Sequence, residues 1–364
     1  MRDATRHGEQ SPPAGITPEE LQLAARNHGM PLEALRHDVT PVGLHYLLIH
    51  YDIPTVDAST WRLAVDGLVR TPLSLSLEDL RARPTIRVPV TFECAGNGRA
   101  RLSPRPVSQP WLSEAVGTAE WTGTPLAPLL RDAGLADDAV DLVFTGLDRG
   151  VEGGIEQDYE RSLAVTDAAR DGVLLAYGLN GQPLPPQHGF PLRLVVPGWY
   201  GMTNVKWLTR ITAVAAPFQG YQQATSYRLR QEADEAGTPL TLMEPRALMI
   251  PPGVPDFLTR RRFVVAGRHT LTGRAWSGRG PILRVEVSVD GGASWSDTRV
   301  EDGPSPWAWS RWSFGWDASA VGEFDLCCRA TDAAGRVQPD EPTWNLGGYA
   351  NNAIQRVQVT VRTA

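Results

Sequence analysis

One of three cysteines, Cys94, stands in the run VTFECAGNGRARL, followed by Ala95, Gly96, Asn97 and Gly98 and, five positions on, by Arg99. A thiol among small residues suits a thiolate presented from a tight turn, and a nearby guanidinium lowers a thiol pKa. The same residues suit a cysteine that merely ends a buried strand, because free cysteine is among the most buried residue types. A lone cysteine does not separate these readings. The other two, Cys327 and Cys328, are neighbours in EFDLCCRATD, so on a strand they point to opposite faces. Three cysteines with this spacing make no disulfide framework and predict a reducing compartment, most simply the cytoplasm.

The elements that must carry Cys94 read as an α+β unit followed by an all-β unit. WRLAVDGLV reads as a strand into a turn, and LSLSLEDLRAR as a short strand and a helix opened by Ser76, with Asp79 in its first turn. TPLAPLLRDAGL has helical spacing with Gly134 as its cap, while VDLVFTGLD and GVLLAYGLNG read as strands. No regular alternation of strand and helix appears. After Arg230 the polar run QEADEAGTPL reads as a linker. Beyond it, alternating strands broken by Asp-Gly-Gly, Ala-Gly and Gly-Gly predict an immunoglobulin-like β-sandwich. The expected organisation is a flexible leader over 1–40, a catalytic α+β domain over 41–235 and a sandwich over 236–364.

Composition narrows the function classes. The 364 residues are 42% hydrophobic and 21% charged, ordinary for a globular protein, and long enough for two domains. A net charge of −6 without a basic stripe argues against a nucleic-acid partner. The basic clusters Arg99 to Arg105 and Arg260 to Arg262 read as a small-anion site and a solvated turn. No apolar stretch approaches the ~20 residues of a membrane span, and MRDATRHGEQSPPAG lacks the apolar core of a secretion signal.

Several segments in one order give the chain a more specific character: the CAGN run at Cys94, LLAYGLNGQPLP, the FTGLD run ending at Asp148, HGFPLRLVVPGWYGMTNVKWL from His188 to Leu208, and the late WAWSRWSF and WNLGGYANNA. Together they resemble the sulfite oxidase family of molybdenum enzymes from about Leu44 to the C-terminus. The resemblance implies molybdenum bound to molybdopterin, with Cys94 as the protein's metal ligand. A soft thiolate suits such a metal. It also implies that His188, Arg193 and Lys206 supply charge-assisted hydrogen bonds to the phosphate of the pterin. Asp148, Asn204 and Val205 would add further contacts, and the loop from Tyr46 and Leu47 to His50 would cover it. Taken singly, His188 also reads as a turn residue, and Arg193 and Lys206 as strand-surface charges.

The resemblance further implies that Tyr227, in GYQQATSY, and Arg99 face the substrate. Two positions depart from the family. Its pocket arginine two residues before His50 is Leu48 here, and a second, after the second Trp of WAW, is Ser310 with Arg311 one place later. A one-residue shift on a strand turns a side chain to the other face, so Arg311 is not a safe substitute. Each lost guanidinium forfeits ~1.5–3 kcal/mol of charge-assisted hydrogen bonding to an anion. Sulfite is thus the family default, and a sulfane sulfur, a sulfoxide or another oxyanion the alternative. The chain shows no haem-binding module, so a separate electron acceptor is expected. The sandwich is expected to form a homodimer, with Trp276, Trp307, Trp309, Trp312 and Trp316 divided between its core and an interface.

Overall fold

The structure, a computed structural model, describes residues 15–363. Residues 1–14 of the expected leader lie outside the described residues, but the rest of it is folded. Helix α1 (Pro18–Arg26) starts at Thr17, whose hydroxyl accepts from Glu20 N–H while the Glu20 carboxylate accepts from Thr17 N–H at 2.8 Å. This reciprocal cap satisfies two donors that a helix start leaves unpaired. Met30 and Leu35 follow, both fully buried against residues of both later units, among them Tyr227, Trp276 and Trp309. Residues 15–40 are therefore part of the packed body and no flexible leader.

Two sheets form the α+β unit. One has five strands in the order Leu73–Leu75, Leu63–Gly67, Leu208–Val214, Asp141–Glu152 and Ile155–Ala164. The other runs Ile86–Glu93, Val116–Pro125, Leu174–Leu179 and Gln182–Pro183, with Arg193–Val195 also paired to Leu174–Leu179. Helix α2 (Leu77–Arg81) carries the Ser76–Asp79 capping box, and α3 (Leu126–Ala133) ends at Gly134 with φ +66°. Leu126, Leu129, Leu130 and Ala133 give α3 one buried face against the core around Phe144 and Ile211.

The C-terminal unit is the expected sandwich. A sheet of Arg246–Met249, Gly267–Trp276, Ser310–Ala318 and Arg299–Glu301 packs on a six-stranded sheet centred on Gln355–Arg362 and Gly322–Asp332. Alternation buries Val357, Val359 and Val361 inward along the last strand. Cys327 and Cys328 are both buried and free. Trp312 and Trp316 fill the sandwich core, Trp276 and Trp309 pack between the units, and Trp307 lies against the second sheet. Trp276, Trp309, Trp312 and Trp316 are buried and Trp307 is half-buried, so four of the five are interior packing. No helix among the described residues is long and apolar enough to cross a membrane.

Candidate active site

Strand Ile86–Glu93 ends immediately before Cys94, whose N–H donates to Ala115 O at 2.9 Å. The chain then turns through Ala95 to Gly98. Asn97 fastens that turn: its N–H donates to Cys94 O, its Nδ2 to Glu93 Oε1 at 3.0 Å, and its Oδ1 accepts from Ala115 N–H. Gly98 has φ +91°, and a Cβ there would lie 2.8 Å from Asn351 O, so both conformation and space require glycine. Arg99 folds back over Gly96, where a Cβ would lie 2.6 Å from both guanidinium Nη atoms. It donates to Gly347 O and Gln109 O and lies 5.2 Å from the Tyr349 ring centroid. Burial pushes the Cys94 thiol up, and the pull of Arg99 in the other direction does not overcome it. The lowered thiol pKa expected from sequence is thus reversed in the protein alone.

Cys94 faces a cavity that collects most of the candidate residues. Tyr46, Leu47, His50, Asp148, His188, Arg193, Asn204, Lys206 and Tyr227 line it with Cys94. Arg193 extends from its strand beside the stacked rings of Phe92 and Trp121, whose centroids lie 5.1 and 4.7 Å from Cζ, and donates to His188 O and Asn204 O, both at 3.0 Å. The Asn204 Oδ1 accepts from Val196 N–H at 2.7 Å. Lys206 Nζ donates to Leu48 O at 2.8 Å and Gln187 O at 3.2 Å. Val205 differs: it is buried in the main core beside Leu194, and its neighbours, not its side chain, line the cavity. Sequence reasoning missed His45, Phe92, Tyr159 and Met202, which complete the wall. Phe92 and Tyr159 read as ordinary strand core, while His45, beside Tyr46 in HYLLIH, was within reach.

An outer cleft opens on the other side of Cys94. It shares Leu48, His50, Cys94 and Tyr227 with the inner cavity, and adds Arg99, Gln109, Trp111 and Tyr349. Leu23 and Arg26 of α1 also line it. No local signal marks these residues, because the expected leader over 1–40 includes the segment that folds as α1. Tyr227 has φ +44°, a left-handed backbone that costs a bulky residue on the order of 1–3 kcal/mol. That backbone carries a hydroxyl lying 2.5 Å from His50 Nε2. Ser310 and Arg311 line neither space; Arg311 is ion-paired with Asp38 on the protein's exterior.

Burial dominates the electrostatics. Desolvation lowers His45 to about 4, His50 to about 3 and His188 to about 2, so all three are neutral near pH 7. Desolvation also raises Asp148 and lowers Lys206, each moderated by the charge of the other.

Residues 50–222 match the oxidoreductase molybdopterin binding domain, and residues 247–362 the Mo-co oxidoreductase dimerisation domain. Chicken sulfite oxidase is 36% identical over 95% of this chain and 80% of its own length. The chain belongs to the sulfite oxidase family of molybdenum-dependent oxidoreductases. Mouse mitochondrial sulfite oxidase is 36% identical over 89% of this chain, which spans only 62% of that relative. Nitrate reductase [NADH] 1 of Arabidopsis thaliana is 32% identical over 92% of this chain and 40% of its own length. Among solved structures, the sulfane dehydrogenase SoxCD of Paracoccus pantotrophus superposes with TM-score 0.78 at 27% identity, over 99% of this chain and 97% of its own.

The cavity fits the family's cofactor by its own chemistry. Among the described residues no three His, Cys, Asp or Glu side chains converge as metal ligands, which suits a metal held chiefly by a non-protein ligand and one thiolate. Asp148 Oδ1 and Arg193 Nε are buried without a hydrogen-bond partner among the described residues. Leaving such groups unpaired costs about 1–3 kcal/mol each, so they mark places for ligand atoms. Asp148 presents an acceptor; Arg193 and Lys206 present donors with positive charge.

Proposed function

We propose that the chain is a sulfite-oxidase-type oxidoreductase that transfers an oxygen atom from water to a small sulfur substrate. The single observation that carries this reading is the position of Cys94, in the wall between a cavity of partnerless polar groups and a second cleft open to substrate. Arg193, Lys206 and His188 would hold the phosphate of the pterin, and Asp148 and Asn204 its polar edge. Cys94 would ligate the molybdenum. The bound cofactor supplies two-electron redox coupled to oxygen-atom transfer, and the protein supplies binding, orientation and electrostatics. Tyr227, held by His50, and Arg99 would orient substrate from the cleft side.

Two electrons must leave after each turnover, and the side chains of the site are no sink for them. A separate acceptor, protein or small carrier, would take them. A homodimer through the sandwich is supported by the dimerisation-domain match. Three free, buried cysteines are in keeping with a cytoplasmic location. Metal and pterin content of the purified protein, with sulfite turnover, tests the proposal. A molybdenum content near zero after expression in a cofactor-producing host would overturn it.

One observation favours a substrate other than sulfite. Leu48 places an aliphatic side chain, and no guanidinium, on the wall shared by cavity and cleft. Assays with a sulfane sulfur compound and a sulfoxide beside sulfite distinguish the readings.

A further inference from the structure

The outer cleft is charge-balanced and combines apolar with polar walls, which is unlike a receptor for a small dianion. Its fixed charges are Arg26 and Arg99 against Glu19 and Glu152, and burial keeps His50 neutral. Glu152 accepts from Gln222 Nε2 at 2.6 Å, so its carboxylate is anchored at the cleft. Leu23, Leu48, Ile49, Val107, Trp111 and Val151 supply apolar surface. Val107 and Val151 remain 51% and 68% exposed, which leaves them free to cover part of a ligand. One cation stands next to the Cys94 turn. Arg99 spends Nε and Nη1 on Gly347 O and Gln109 O, while its Nη2 makes no hydrogen bond among the described residues. Arg26 stands on the last turn of α1 and makes only long contacts to Ile49 O and Gln22 O, at 3.5 and 3.4 Å.

We propose that the substrate is an organic sulfinate, a monoanionic R–SO2− whose apolar R group lies on the Leu23, Leu48, Val107 and Trp111 side of the cleft while its oxygens meet Arg99. The proposal rests on the oxygen-atom-transfer reading above. A sulfinate keeps the lone pair on sulfur that oxygen-atom transfer requires, and replaces one charged oxygen of sulfite by carbon. One guanidinium matches one negative charge, and what remains, Arg26 against Glu19 and Glu152, is net negative and disfavours a second. The reaction balances as R–SO2− plus water giving R–SO3−, two protons and two electrons. An S–O bond forms at the sulfur lone pair, sulfur is oxidised by two electrons, and the separate electron acceptor is reduced.

The test uses molybdenum-loaded protein with ferricyanide as acceptor and compares benzenesulfinate, methanesulfinate and sulfite. The expected kcat/KM for benzenesulfinate exceeds the other two by at least tenfold. The product analogue benzenesulfonate is expected to bind at least tenfold more tightly than sulfate in calorimetry, a readout independent of turnover. Leu48→Arg should lower the benzenesulfinate-to-sulfite ratio of kcat/KM at least tenfold. Leu23→Asn, on the surface of α1, should lower it severalfold without disturbing the fold. Sulfite used as efficiently as benzenesulfinate, with benzenesulfonate binding no tighter than sulfate, overturns the sulfinate proposal and leaves oxygen-atom transfer standing. No turnover of any of the three by fully metallated protein overturns both.

Discussion

Arg246 Nε lies 2.8 Å from Oε1 of Glu93, the residue immediately before Cys94. Both side chains are almost fully buried, and Trp276 Nε1 donates to the other carboxylate oxygen at 2.8 Å. Arg246 and Trp276 belong to the sandwich, while Glu93 ends a strand of the other unit. The same Glu93 carboxylate receives Asn97 Nδ2, so the turn that presents Cys94 is braced from the second unit.

Removing one partner of this buried pair strands the other charge, which typically costs 3–5 kcal/mol. Arg246→Met should lower stability in denaturant titration by about 3–5 kcal/mol and reduce molybdenum retention with it. Unchanged stability would show that the pair is not a brace.

Cys94→Ser should abolish turnover while the protein still carries pterin. The thiolate is the only protein ligand this reading assigns to the metal, whereas pterin binding rests on Arg193, Lys206 and their neighbours. Released pterin measured by fluorescence, beside metal content and turnover, checks the split. Activity surviving the change would show that Cys94 is not the ligand.

Lys206→Met should act the opposite way, with pterin content falling well below the parent while the fold persists. The lost ammonium donates to Leu48 O and Gln187 O, so a modest loss of stability, ~1–2 kcal/mol, accompanies it. Pterin content equal to the parent would remove Lys206 from the binding set.

Tyr227→Phe should lower kcat/KM by roughly tenfold, the equivalent of one hydrogen bond of ~1.4 kcal/mol. The change leaves His50 Nε2 without the partner it has at 2.5 Å. Steady-state kinetics that remain unaltered would mean the hydroxyl serves structure alone.

Acid should destabilise the cofactor-free protein early. His45, His50 and His188 are held near 4, 3 and 2 in the fold against 6.5 for an ordinary histidine. Below 6.5 the unfolded chain takes up protons that the folded one refuses. Stability is therefore fully present above pH 6.5 and is lost as pH falls towards the folded values, by up to about 1.4 kcal/mol per pH unit for each histidine. Thermal unfolding between pH 7.5 and 5 measures the slope, and a flat profile would contradict the neutral burial of these rings.

Legibility in the sequence followed locality. Helix α3 and its Gly134 cap, the Ser76 capping box and the sandwich strands were readable because their signals lie within a few residues of the element. The cavity was readable where its residues cluster in runs, at Tyr46 to His50 and His188 to Lys206. Val205 shows the limit: its side chain packs in the main core while Asn204 and Lys206 on either side line the cavity, so a residue inside a functional run need not reach the site. Tyr349 and Trp111 were invisible because only the tertiary fold brings residues so distant in sequence to Cys94. The folded state of α1 was missed for a related reason, since Met30 and Leu35 anchor that segment to surfaces made much later in the chain.

Helix α1 supplies Glu19, Leu23 and Arg26 to the cleft yet belongs to neither sheet. Its cleft-facing positions can therefore drift while its buried Glu20 and the strand that presents Cys94 stay as they are. Substrate range and redox chemistry are on this account separately evolvable traits. Exchanging residues 19, 23 and 26 between relatives would be a direct way to alter the first while conserving the second.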